Sequence, residues 1–311
     1  MREDGYVLVI GAAGLDIKGR SRSTLQFATS NPGRIQNSFG GVGRNIAENL
    51  ARLEVETVLL TAVGDDTSGD LLMAHCAVAG VDVTHVLQVS GGRSGSYVAV
   101  LDDDGDLSVA VSDYEIMQHL DGEFFEEHRQ LFEAARLIVV DLNLCTEAIA
   151  KIIDLADHFQ VPICVDPTSP THAAKICDIL DRFYLMMPNA SETMTLCGLS
   201  TPASDLDTAI TAAKQLVSFG IEIAIVTLGE KGVAYADHGN SGHIESRKTK
   251  IVDTTGAGDA LTAAVIFGLM NGCSIDEAMR LGVTAASLTI QSRESVVPDL
   301  TPDLLYEHLI V

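Results

Sequence analysis

The sequence has no tryptophan, and aromatic side chains make up 5% of its 311 residues, an absence that by itself excludes no fold. Positive charge is also scarce. Twenty Lys and Arg stand against 43 Asp and Glu, for a net charge of −23. That balance argues against nucleic acid or an anionic membrane as a partner, since both demand basic patches. No apolar run approaches the roughly 18 residues of a membrane helix. Met1-Arg2-Glu3-Asp4 runs straight into the apolar stretch Val7 to Ile10, which is too short for a signal-peptide core. None of the six cysteines (76, 145, 164, 177, 197 and 273) forms a CxxC pair. Neither a disulfide framework nor a zinc site is expected, and buried free thiols suit a reducing compartment. The nine histidines show neither HExxH nor i, i+4 pairing. Internal repeats and linker-like stretches are missing too. These features together are read as a soluble, unprocessed, cytoplasmic chain.

What is present is a large supply of core. Hydrophobic residues make up 47% of the chain, enough for one α/β domain spanning 1–311 with a small appendage. Short apolar, β-branched runs at 6–12, 57–63, 137–142, 161–165, 184–187 and 223–228 predict strands. Between them, helical spacing appears at 44–53, 146–159, 205–219 and 258–271. Alternation of this kind predicts a mostly parallel sheet sandwiched by helices. Two segments break the rhythm. Residues 15–39 are polar and lack a helical period, and 93–113 predict a hairpin turning at Asp102-Asp103-Asp104-Gly105-Asp106. Strand pieces inserted in this way are candidates for a small β-sheet lid, or for two ordinary surface excursions.

The strongest motif is Asp253-Thr254-Thr255-Gly256-Ala257-Gly258-Asp259-Ala260, which leads into an apolar helical run. Small residues before a helix let backbone N–H groups approach a phosphate, where the helix dipole favours negative charge. An aspartate in that first turn can take a hydroxyl proton while neighbouring amides hold charge on a transferred phosphoryl group. A Gly-rich turn capped by an aspartate is the bland alternative. Gly40-Gly41-Val42-Gly43-Arg44-Asn45 also opens a helix but lacks the Gly-Lys-Ser/Thr ending of a Walker A loop. Pro188-Asn189-Ala190-Ser191-Glu192 fits an Asn N-cap with a capping-box Glu three residues on. Thr227-Leu228-Gly229-Glu230-Lys231-Gly232 ends a strand and would otherwise be an ordinary hairpin turn.

The octapeptide resembles the C-terminal signature of the ribokinase-like (PfkB) carbohydrate kinases, and the resemblance extends over essentially the whole chain. It implies a ribokinase-like α/β fold with lid segments 15–39 and 93–113, ATP and Mg²⁺ as reactants, and a homodimer formed through the lid. By the same resemblance, Asp259 is the base, and Gly256, Ala257 and Gly258 form the anion hole. Asp253 and Thr255 match positions that hold a monovalent cation, usually K⁺, with carbonyls of 287–292 completing its shell. Gly40, Gly41, Asn45 and Asp16 match the acceptor-binding positions. Asn189, Thr227, Gly229 and Gly232 match the ATP side, and Glu192 holds Mg²⁺ through water.

Several stretches look most like the pseudouridine kinases of that family. These are the Gly-Gly-Val-Gly-Arg-Asn signature, the 97–113 hairpin, Asp141-Leu142-Asn143-Leu144 and Val165-Asp166-Pro167-Thr168-Ser169. Asn143 stands where ribokinases carry a sugar-contacting glutamate, and Ser112 and Asp113 sit on the proposed lid within reach of a base. Gly14 departs from the asparagine usual in ribokinase-type members, which favours a bulkier nucleoside over free ribose. Inosine, adenosine, uridine or ribose as acceptor, or a non-enzymatic sugar or nucleotide sensor on the same fold, are the alternatives. The Rossmann dinucleotide fingerprint fails, because no helical period follows Gly11-Ala12-Ala13-Gly14.

Overall fold

The computed structural model describes residues 4–310. Met1, Arg2 and Glu3 of the N-terminal reading lie outside them, as does Val311. In chain order the first third comprises β1 (Tyr6–Ile10), β2 (Gly14–Ser21), β3 (Gly33–Gly40), α1 (Val42–Arg52), β4 (Thr57–Leu60), β5 (Ala62–Gly64), α2 (Thr67–Val78), β6 (Leu87–Val89), β7 (Gly95–Leu101) and β8 (Leu107–Asp113). Next come α3 (Gly122–Glu127), α4 (Arg129–Ala134), β9 (Ala135–Asp141), α5 (Thr146–Phe159), β10 (Ile163–Asp166), α6 (Pro170–Ala173), β11 (Leu185–Met186) and α7 (Ala190–Cys197). The chain closes with α8 (Leu206–Ser218), β12 (Ile223–Thr227), β13 (Val233–Asp237), β14 (Ser241–Ile244), α9 (Ala257–Met270), α10 (Ile275–Thr289) and α11 (Pro302–Glu307).

An eight-stranded sheet in the order β14-β13-β12-β11-β10-β9-β1-β4 forms the body. Its strands run parallel from β4 to β12, and β13 and β14 add an antiparallel edge. Alternation along each strand sends side chains to two faces. Leu8, Ile10, Ile138, Val140 and Val165 belong to one buried cluster, with α5 and α8 against it. Val7, Val9, Leu137, Val139 and Cys164 belong to the other, where Ile46 and Leu50 of α1 and Val265 of α9 meet them. Both faces are dry, which explains why these strands read as unbroken apolar runs. Truncating Ile138 to Ala would cost about 2–5 kcal/mol by the usual cavity penalty.

The predicted strand over 57–63 is in fact two. β4 joins the large sheet, while β5 pairs with β6 in a separate two-stranded sheet. Thr61 is the one polar residue in the interior of the run, and a lone β-branched threonine is too common in strands to mark a break. Helix boundaries fall within two residues of those predicted, and Asp205 proves to be the N-cap of α8 through its side chain.

Both segments that broke the rhythm pair with each other. They form a four-stranded sheet in the order β3-β2-β7-β8, antiparallel except where β2 meets β7. At the β7–β8 turn, Asp102 Oδ1 accepts the backbone N–H groups of Asp104, Gly105 and Asp106 at 3.0, 2.8 and 2.9 Å. Register assigns the faces, since opposed residues share one. Asp16, Tyr97, Ser112 and Ser38 are level on one side, with Lys18, Ala99, Ala110 and Gln36 in the next row. The other side carries Ile17, Val98, Val109, Val111 and Ile35, of which Val111 is 67% and Ile35 78% exposed.

Candidate active site

The predicted chemistry converges on the C-terminal ends of the parallel strands, where α/β sheets present their ligand crevice. Gly256 has φ 81° and starts α9 without any side-chain cap. A side chain there is doubly excluded, because an added Cβ would lie 1.9 Å from Ser295 O. No side-chain oxygen caps the first-turn N–H groups after it, and that of Ala257 makes only a long 3.4 Å bond to Thr254 O, so this turn can present N–H groups to an anion. Asp259 sits in this first turn, 8% exposed. Asn45 Nδ2, from the first turn of α1, donates to its Oδ2 at 2.6 Å. Burial pushes the Asp259 carboxyl up to about 7, against the pull of the Asn45 amide and the Arg44 guanidinium, and the neighbouring Asp141 and Asp16 add to the rise. A carboxylate poised near neutrality is suited to general-base work.

Arg44 is not free to meet a phosphate. It is 1% exposed, ion-paired with Glu48, and donates to the carbonyls of Phe39 at 2.8 Å and Gly40 at 3.2 Å and to the Asn45 side-chain oxygen. Its work is to fix Asn45 and the end of β3. Asp16 on β2 is buried, and desolvation raises its carboxyl, with Lys18 and Arg44 pulling the other way. Gly40 is required beside it, since a Cβ there would lie 2.2 Å from Asp16 Oδ1. Gly41, at φ 93°, then turns the chain into α1.

Three residues to which the sequence reading gave no role complete this side. Asp141 is buried at the end of β9, where its Oδ2 accepts the N–H groups of Ala12 at 2.7 Å and Gly43 at 2.8 Å. Its Oδ1 accepts the backbone and side-chain N–H of Asn143 at 2.9 and 3.0 Å. It thus pins the exit of β1 to the entry of α1 and orients Asn143. Tyr97 faces Asp16 across the β2–β7 pairing and its hydroxyl is raised by burial, then by that carboxylate. The ring of Tyr114 lies against Gly14 and Gly95, where added Cβ atoms would come within 2.8 and 2.5 Å of it. Burial raises its hydroxyl, with Asp16, Asp141 and Asp259 adding to the effect. The space beside Gly14, which the sequence reading gave to a bulkier acceptor, is thus filled by a tyrosine ring. Ser112 shares the Asp16 face, but Asp113 falls on the opposite face, and its Oδ1 accepts the Glu115 N–H at 3.3 Å.

On the other flank, Asn189 caps α7. It forms a reciprocal capping box with Glu192, whose oxygens accept the Asn189 backbone N–H at 2.8 Å and side-chain amide at 2.7 Å. Thr227 bridges to Asn189, its N–H donating to Pro188 O at 2.9 Å. Beyond it, Gly229 and Gly232 adopt φ 59° and 87° in the β12–β13 turn. Asp166 ends β10 between the two flanks. Burial raises its carboxyl well above the ordinary range, with Asp259 and Glu192 next in effect. Carboxylates that raise one another form a charge pattern that Mg²⁺ suits. Among the described residues no three acidic or His/Cys side chains are grouped to hold an ion unaided. Mg²⁺ would therefore arrive with phosphates and water, as hard cations commonly do.

The monovalent-cation positions do not fit such an ion. Lys18 Nζ donates to Asp253 Oδ2 and to Thr255 Oγ1, both at 2.6 Å, and the Thr255 N–H donates to Asp253 Oδ1 at 2.9 Å. Burial disfavours the Asp253 carboxylate, but these hydrogen bonds outweigh it and hold the carboxyl below its ordinary range.

Comparison with known proteins agrees with this geometry. The profile of the pfkB family carbohydrate kinases matches residues 4–301. The pseudouridine kinase of Escherichia coli K12 is 36% identical over 302 residues, covering 97% of this chain and 95% of that protein. The guanosine-inosine kinase of Exiguobacterium acetylicum is 30% identical, covering 94% and 97%. In structure, Arabidopsis thaliana ribokinase complexed with ribose and ATP superposes with a TM-score of 0.87 over 99% of both chains, at 23% identity. No helix among the described residues is long and apolar enough to cross a membrane. The chain belongs to the pfkB family of carbohydrate kinases, a ribokinase-like phosphotransferase acting on an alcohol group.

Proposed function

We propose that this kinase transfers the γ-phosphoryl group of ATP to the 5′-hydroxyl of a nucleoside, with pseudouridine as its acceptor. The observation that carries the reading is the buried Asp259 carboxylate, held by Asn45 in the first turn of an uncapped helix and facing the acceptor-side carboxylate Asp16. Similarity to the E. coli pseudouridine kinase along 97% of the chain supports the choice of nucleoside.

In this reading Asp16 and Asn45 hold the ribose hydroxyls, while Asn143, Tyr97 and Ser112 face the base. Asp259 accepts the proton of the 5′-hydroxyl as its oxygen bonds to the γ-phosphorus. The bond from that phosphorus to the β,γ-bridging oxygen breaks, and ADP leaves with the electron pair. The N–H groups of Ala257 and Gly258, presented by the Gly256 turn, hold the charge on the transferred group. Asn189, Thr227, Gly229 and Gly232 line the nucleotide side. Mg²⁺, held near Glu192 and Asp166 through water, would neutralise charge on the phosphates. The four-stranded sheet is the lid, closing over the acceptor and keeping water from the phosphoryl group. Its exposed apolar face, Val109, Val111 and Ile35, supports a homodimer in which a second copy covers that face.

The test is phosphate transfer from ATP·Mg²⁺ to pseudouridine, uridine, inosine, adenosine and ribose, followed by mass spectrometry. A preference for pseudouridine over uridine is expected. Preference for inosine would move the assignment to the purine nucleosides, in line with the 30% identity to guanosine-inosine kinase.

A further inference from the structure

The small sheet reaches the loop before α9 through Lys18. This side chain points from the same face of β2 as Asp16, and its ammonium lies 2.6 Å from both Asp253 Oδ2 and Thr255 Oγ1. The contact joins segments 235 residues apart and is mostly shielded, with side-chain exposures of 15% for Lys18 and 27% for Asp253. Of the 287–292 carbonyls expected to complete a cation shell, four accept hydrogen bonds from the protein itself. Ile290 O accepts the N–H groups of Val252 at 2.8 Å and Asp253 at 3.3 Å. Thr289 O accepts from Ser292 N at 2.9 Å, Leu288 O from Gln291 N at 3.2 Å, and Ser287 O from the Gln291 side chain at 2.7 Å.

We propose that the Lys18 ammonium replaces the monovalent cation in this enzyme, fixing the loop ahead of Gly256 and latching the small sheet over it. Both species carry one positive charge, and an ammonium offers three N–H donors where a bare ion offers none. Two of those donors are satisfied by Asp253 and Thr255. A charge supplied by the chain is present at every turnover and needs no ion from solution. It is also coupled to the sheet, so the loop acquires its counter-charge as the sheet comes down. The inference rests on the reading of the Gly256–Gly258 loop as the phosphoryl cradle, but not on the identity of the acceptor.

The experiment compares wild-type protein, Lys18→Met and Lys18→Arg in KCl and in NaCl at equal ionic strength. It reads thermal melting of the free protein and, with whichever acceptor the screen identifies, the rate of transfer. Wild type is expected to melt and turn over alike in the two salts. Lys18→Met should lose about 10–100-fold in rate in NaCl, the usual worth of a charged hydrogen bond. KCl should then raise both its melting temperature and its rate, while Lys18→Arg should stay close to wild type in both salts. Several-fold activation of wild type by K⁺ over Na⁺ would overturn the proposal. So would a Lys18→Met protein as fast as wild type in NaCl, or one equally slow in both salts. If that variant does not fold, the wild-type comparison decides alone. Melting requires no acceptor, so failure of the nucleoside assignment would leave this arm readable.

Discussion

The eight-stranded sheet and the four-stranded sheet use their two faces in different ways. In the first, both faces are covered by helices, and the chemistry is confined to the strand ends, at Asp141, Asp166 and the Gly256–Asp259 turn. In the second, one face carries Asp16, Lys18, Tyr97 and Ser112 toward the site, and the other exposes Val109, Val111 and Ile35. A doubly covered sheet gives rigid placement to groups that must not move during proton and phosphoryl transfer. A singly covered sheet can travel as a unit, and each face can serve a separate partner. On the proposed reading, catalysis falls to the body, and the small sheet supplies Asp16, Tyr97 and Ser112 to recognition beside Asn45 and Asn143 of the body.

The sharpest way to test that division is Asp259→Asn, which should lower kcat by about 10²–10⁴-fold, the usual worth of a general base, in a folded protein. In wild type, kcat/KM should rise with pH through about 7 as the carboxyl ionises. The stability sign is opposite. With a folded value raised above the ordinary 3.8, this carboxyl's contribution to stability is full below that value and lost as pH rises through about 7. Melting should therefore favour Asp259→Asn over wild type at alkaline pH and not at acid pH.

Asp16→Ala should come next. It removes a charged acceptor for the ribose hydroxyls and should cost about 10–100-fold in kcat/KM for the nucleoside, with the KM for ATP little changed. An equal loss on the ATP side would break the assignment of recognition to the small sheet. Tyr114→Leu should shift the ratio of kcat/KM between pseudouridine and ribose by about tenfold, a typical value for reshaping a pocket wall. The smallest effect is expected from Val109→Lys together with Val111→Lys. On the proposed homodimer, these should give a monomer on size exclusion where wild type runs as a dimer, while changing the rate by no more than about twofold, as exposed substitutions usually do.

Much of the body is legible in the sequence. Unbroken apolar runs and 3.6-residue spacing marked its strands and helices, because both faces are buried and local pattern follows burial. The 253–260 octapeptide marked the α9 turn, because Gly256 must adopt φ 81° and no side chain fits there. The small sheet was legible as two irregular segments, and their pairing was not, since β2 meets β7 across more than 70 residues of intervening chain. Asp141 stood in a named stretch, but its role was hidden for a similar reason. A carboxylate at a strand end has no local signature, and its four N–H partners come from three separate segments. Tyr114 was not legible, since the glycine at position 14 shows that space is needed and not which side chain fills it.

By itself the sequence determined the fold class, the family, and the loop and aspartate of the phosphoryl site, all of which depend on local backbone demands and on hydrophobic period. Only the tertiary structure decided that Asn45 meets Asp259, that Asp113 faces away from Asp16, and that a lysine occupies the cation positions. Those outcomes depend on strand register and on side chains reaching across 200 residues or more, and a one-residue change of register would reverse the faces without altering the pattern along the chain.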